Sequence, residues 1–211
     1  AHLEVDPELA RIDITVTARG ADRRQTLDDL TARNTAVLDL VKSYPDAVTT
    51  LETSALSITP ELTRHGRAER IRSYHGRVHI TAELTDFTTL GELTTRLADH
   101  ELTQVNGPYW ALRPDSPAHR RARTRAVQDA VQRAREYADA LGTSLAALVE
   151  LADIGAENAT PYPPAPFPGS ARMAFAGAAA EDTAPPLDLE PQRQTVTAQV
   201  NARFTLHPPA L

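Results

Sequence analysis

The sequence predicts an α+β fold: a ferredoxin-like βαββαβ core with an antiparallel sheet, followed by a long helix and two further strands. Three observations predict it. Strict polar–apolar alternation, the period of a half-buried strand, recurs in "ARIDITVTA", "RVHITAEL" and "QTVTAQVNARFTL". Capped segments with apolar residues three and four apart stand between such stretches. Their order up to Arg113 is strand, helix, two strands, helix, strand, which lays two helices on one face of an antiparallel sheet.

In the first strand Ala10, Ile12, Ile14, Val16 and Ala18 share one face and Arg11, Asp13, Thr15 and Thr17 the other. Asp22, with Gln25 three residues on, has the spacing of a capping box. Leu27, Leu30, Val37, Leu38 and Val41 continue as the apolar stripe of a helix that stops at Tyr44-Pro45. Residues 48–58 and 70–84 read as two strands joined by a polar, Arg-rich hairpin, with Val78, Ile80, Ala82 and Leu84 inward and Arg77, His79, Thr81 and Glu83 outward. Asp86 caps a second helix with Phe87, Leu90, Leu93 and Leu97 on its buried side, and "NGPYWAL" supplies the fourth strand. These elements make up residues 1–113.

Residues 114–211 hold the long helix and two strands, read as integrated with the first part. Ser116 is the N-cap, Pro117 takes the first helical position and Gly142 stands just past the end. On a helical wheel Val127, Ala130, Val131, Ala134, Ala138 and Leu141 form one stripe, and Arg123 falls on it, where it would need a carboxylate or carbonyl partner. The six arginines between Arg120 and Arg135 scatter around the wheel and interleave with Asp129, Glu136 and Asp139. That reads as a solvated, ion-paired helix, with Arg125–Asp129 and Arg135–Asp139 at i,i+4 spacing, and not as a phosphate-tracking surface. A strand around 147–153 follows. A Pro/Ala-rich loop, 160–191, then holds eight of the chain's 16 prolines, including PxxP spacings, before one long final strand.

The formal charge of −6 over 211 residues works against non-specific binding to nucleic acid or anionic lipid. With no cysteine there is no disulfide framework, thiolate nucleophile or Cys-ligated metal. No apolar run approaches the roughly 20 residues of a membrane span. The opening "AHLEVDPELA" has neither the basic nor the apolar region of a secretory signal, and its start at Ala allows for a segment removed upstream.

No phosphate-binding, zinc-protease or nucleophile-elbow motif occurs, so no catalytic residue, cofactor or metal is assigned. His75 and His79 lie four apart on a strand, roughly 13 Å at 3.3 Å per residue, too far for one ion. The first strand has no aromatic and the third only Tyr74, which speaks against the RNA-recognition use of this topology. The densest positive patch is the hairpin with Arg64, Arg67, Arg70, Arg72 and Arg77 against the single Glu69, a candidate for docking an acidic partner or a neighbouring subunit.

Taken in order, five fragments resemble the bacterial SIMPL-domain family: "VDPELARIDITVTARG", "LETSALSITPEL", "SYHGRVHITAELTDFTTLGELTTRL", "VNGPYWAL" and "ARTRAVQDAVQRAREYADALG". The last is the most specific, with Arg123, Asp129, Arg133 and Gly142 among its motif positions. Ser73 departs from the family's usual glycine before Tyr74, and only a remnant of the usual first short strand precedes "LEVDPE". The resemblance implies a module that assembles into homo-oligomers, with cell-envelope or stress-response roles and no catalytic residues to carry over. It also implies a periplasmic or envelope setting, while the chain's own opening leaves a cytoplasmic one open. The alternatives are an adaptor that recruits a protein partner through the Pro-rich loop or the Arg-rich hairpin, and an enzyme whose site is assembled from distant residues.

Overall fold

The computed structural model describes residues 1–62, 70–154 and 187–208 of the chain. Their backbone groups into two compact units. One comprises Asp6–Pro114 and the described part of Thr183–Gln194; the other takes Ala1–Val5 and the described parts of Asp115–Asp182 and Thr195–Leu211.

In the first unit the elements are β2 (Leu9–Gly20), α1 (Arg23–Lys42), β3 (Val48–Leu62), β4 (Ile71–Leu84), α2 (Phe87–Ala98) and β5 (Thr103–Ala111), preceded in the chain by β1 (His2–Val5) of the second unit. Their sheet runs β3-β4-β2-β5 with every pair antiparallel. That order and the βαββαβ sequence are those of the ferredoxin-like arrangement.

Alternation decides which face is covered. Ala10, Ile12, Ile14, Val16 and Ala18 of β2 and Val78, Ile80, Ala82 and Leu84 of β4 are buried, opposite one another in register (Ile12 with Ala82, Ile14 with Ile80, Val16 with Val78). Leu30, Val37 and Val41 of α1 and Leu90, Leu93 and Leu97 of α2 close the same core. Both helices start where a carboxylate meets free amides: Asp22 accepts from the Gln25 N–H, and Asp86 from those of Thr88 and Thr89. Phe87 and Trp110 meet edge to face at 4.8 Å at the core's margin.

The second unit is thinner. It holds α3 (Pro117–Ala140), β6 (Leu145–Asp153), β7 (Gln194–Thr197) and β8 (Val200–Leu206), with two two-stranded sheets, β1-β7 and β6-β8. The single final strand expected from the sequence is therefore two. Its alternation persists through Ala198 and Gln199, but the two halves pair with different partners, so the ladder breaks between them. The short leading strand is β1, four residues long in this chain.

Ser116 caps α3 through the Ala118 amide, and the helix ends in a Schellman motif, with Thr143 N–H bonded to Ala138 O at 2.9 Å and Gly142 N–H to Asp139 O at 3.0 Å. Gly142 has φ +64 with nothing within 4 Å of a notional Cβ, so only backbone strain opposes a side chain there. Gly142→Ala is expected to cost about 1 kcal/mol in urea unfolding, with no change in shape.

Arg123 corrects the wheel. It is exposed, and so is Leu141, whereas Ala118, Ala122, Ala126 and Ala138 are buried. An i,i+4 row drifts by about 40° at each step, so the buried side at the start of a 24-residue helix is not the buried side at its end. A single averaged stripe placed Arg123 inward; the row of small residues leaves it in solvent, where it needs no buried counter-charge.

Candidate functional site

Two surfaces draw polar or apolar groups together beyond what packing requires, one in each unit.

The first is the helix-free face of the four-stranded sheet. The parity that sends Ile12, Ile14 and Val16 into the core sends Arg11, Asp13, Thr15, Thr17 and Arg19 out, beside Ser73, His75, Arg77, His79, Thr81 and Glu83 of β4. At one end Glu61 of β3 gathers three donors. Arg19 Nη2 and Ser73 Oγ lie 2.6 Å from its Oε2, and His75 Nε2 lies 3.1 Å from the same oxygen. Hydrogen bonds from Ser73 and His75, reinforced by the Arg19 guanidinium, hold the Glu61 carboxyl down to about 2. Further along, Thr15 Oγ1 and His79 Nδ1 are 3.0 Å apart, and Thr81 donates to Asp13 at 3.2 Å.

His75 and His79 thus have separate partners on separate rows. Of the predicted positive patch, Arg70, Arg72 and Arg77 are exposed, while Arg64 and Arg67 lie outside the described residues. The structure brings Arg77 to the centre of the polar face, between Thr17 on β2 and Ser57 on β3, with no ion pair among the described residues. Arg19 and Glu61 were not singled out from the sequence, and Ser73 only as a departure from the family's usual glycine. Glu61 is 42 residues from Arg19 and 12 from Ser73 along the chain, and the three meet only through strand pairing, for which the sequence signal is the parity of three long strands.

Glu61 makes a pH prediction. Its folded value lies below its ordinary value of 4.5, so its contribution to stability is present above about pH 4.5 and is lost as pH falls toward 2. Glu61→Gln should melt earlier than the native chain at pH 6 by a small margin, given the exposure of the cluster, and the gap should close by pH 2 in paired thermal scans.

The second surface belongs to β6 and α3. On β6, Leu148, Val149 and Leu151 are 53%, 56% and 46% exposed, and Ile154 just past its end is 57% exposed. Register sets Leu148 opposite Phe204 and Leu151 opposite Ala202 of β8. Between α3 and β8 lies an open groove of about 330 Å³ lined by Ala130, Ala134, Tyr137, Val200, Ala202 and Phe204 among others. One alanine-faced helix on two strands cannot cover these side chains. The opposite edge of β6 pairs with nothing among the described residues.

The remaining motif residues sit on α3. Asp129 pairs with Arg125 at 3.1 Å, as the spacing predicted, and Arg133 donates through Nε to the Asp129 carbonyl at 3.3 Å. These are local supports of an exposed helix face worth a few tenths of a kcal/mol. Among the described residues no group of three or more His, Asp or Glu side chains is placed to hold a metal ion, and no helix is long and apolar enough to cross a membrane.

Compared with known families, residues 1–204 match the family described as "SIMPL: Protein of unknown function (DUF541)". No curated protein matches the chain.

Proposed function

The chain belongs to the SIMPL family, and from that premise we propose that it is a non-enzymatic module that self-associates through β6. The observation that carries the reading is the edge of that strand, apolar and unpaired among the described residues. A two-stranded sheet backed by one small-residue helix leaves apolar side chains in solvent, and an exposed apolar edge strand is a template for pairing. Edge-to-edge pairing of two copies of β6 makes one four-stranded antiparallel sheet across a two-fold axis and covers Leu148 and Leu151.

Charge does not oppose it, because Glu150 in the middle of the strand is already paired with Arg203 at 3.5 Å. The edges of the four-stranded sheet are defended in the usual ways. β3 carries Pro60 and β5 carries Gly107–Pro108, whereas β6, whose register against β8 also shifts twice, has neither proline nor glycine. The cell-envelope or stress-response role implied by the family resemblance is part of this proposal, as that of a scaffold and not of a catalyst.

The test is the native mass by light scattering after size exclusion, at low and high salt. A defined multimer that persists at high salt supports an apolar contact; a monomer at every concentration overturns it.

A second reading is favoured by Arg77. An exposed guanidinium without a counter-charge among the described residues, at the centre of a polar face, fits an adaptor that docks an acidic partner. The Pro-rich route to a partner rests on residues 160–186, which lie outside the described residues. Arg77→Ala separates the readings: an adaptor loses its partner and keeps its mass, whereas a β6-mediated multimer is indifferent to the change.

A further inference from the structure

Helix α2 has a buried residue on the wrong side. Leu90, Leu93 and Leu97 face the core, and at 100° per residue Gly91 and Thr95 project more than about 100° away from that stripe, where solvent is expected. Gly91 is nevertheless buried.

What covers it is Leu187–Pro191, a stretch assigned by sequence to the Pro/Ala-rich loop. Its backbone lies so close that a Cβ on Gly91 would collide with the Leu187 carbonyl oxygen. The Leu187 N–H donates to Thr95 Oγ1 at 3.2 Å, while the same hydroxyl donates to the Gly91 carbonyl at 3.0 Å. Two residues on, Leu189 packs against the core. Arg193 Nε then reaches Asp6 at 3.3 Å, an ion pair with both side chains largely in solvent. Between this strap and the start of α2 an open cavity of about 380 Å³ is lined by Phe87, Thr88 and the strap itself.

We infer that the Gly91–Thr95 side of α2 is a docking groove for an extended Leu-x-Leu peptide, held in cis by Leu187–Leu189. The glycine admits a backbone, the threonine reads one main-chain N–H, and the second leucine fills the margin of the core. Among the described residues the hold is light: one hydrogen bond, one half-buried leucine and an exposed ion pair, with Leu187 itself 54% exposed. Contacts this few belong to the low-stability end of a fold, so the strap is a releasable latch and a competing segment of the same pattern takes its place. This inference stands apart from self-association, which concerns β6.

Gly91→Ala gives a test with opposite signs. Inside a helix alanine is the better former, so a glycine with no other duty would leave the strap in place and raise the melting temperature. The groove requires instead that the strap leaves. Trypsin cleavage after Arg193 should accelerate by about tenfold or more, with a shift in the emission of Trp110, which touches the Phe87 that lines the cavity. Thr95→Val should accelerate cleavage by a smaller factor.

The trans experiment uses a fluorescein-labelled peptide of sequence LDLEPQRQ and the full chain carrying Leu189→Asp, which empties the groove. Binding to this variant by anisotropy, with none to Leu189→Asp combined with Gly91→Ala, is the expected result. A native cleavage rate in a folded Gly91→Ala chain would overturn the inference, as would absence of peptide binding to Leu189→Asp at millimolar concentration. Should Gly91→Ala fail to fold, the comparison of native and Leu189→Asp chains decides alone.

Discussion

A chain carrying Leu148→Asp and Leu151→Asp is expected to run as a folded monomer under conditions where the multimer proposed for the native chain through β6 forms. Both side chains are about half exposed in the single chain, so the replacement opens no cavity in its core. In the proposed paired sheet each half-exposed leucine adds at most about half of the 1.5–3 kcal/mol of full burial, so losing both from both copies weakens the dimer by about 3–6 kcal/mol at most, before the cost of bringing like charges together. A factor of ten per 1.4 kcal/mol turns that into about a hundredfold or more in the dissociation constant. Light scattering reads the outcome directly, and circular dichroism shows that the monomer is folded. A double variant that keeps the multimer would remove β6 as the contact, whatever the native mass.

Ile14→Ala should be the most damaging single truncation. Ile14 is fully buried at the middle of β2, opposite Ile80 on one side and Val105 on the other. Removing its side chain loses transfer free energy and leaves a cavity between two paired strands that cannot collapse, about 3–5 kcal/mol. Total stabilities of about 5–15 kcal/mol make that a large share. Denaturant melts should show a lower midpoint with an unchanged slope. Thr17→Ala, on the opposite face of the same strand and partly exposed, is the control and should shift stability by about 0.5–1 kcal/mol, through its bond to the Leu102 carbonyl.

These two expectations rest on features of different visibility. That Ile14 is buried follows from alternation, since one residue either way would put it on the other face. Exposure of Leu148 does not follow, because a leucine in a strand reads as core until the number of neighbouring strands and helices is known.

The same division runs through the molecule. Sequence by itself determined the α+β class, the order of the elements from β2 to β6, the caps at Asp22, Asp86 and Ser116, the inward set of β2 and β4, and the Arg125–Asp129 pair. All depend on neighbours within a few residues, where backbone period and side-chain reach leave little choice. Tertiary structure alone decided the convergence of Arg19, Ser73 and His75 on Glu61, the break in the last strand, and the solvent position of Arg123. It also decided the lodging of Leu187 over Gly91. Each is a meeting of segments far apart in the chain, or the choice of one partner over another. Local periodicity is blind to both, because the free energy that selects them comes from surfaces that exist only after the chain has folded.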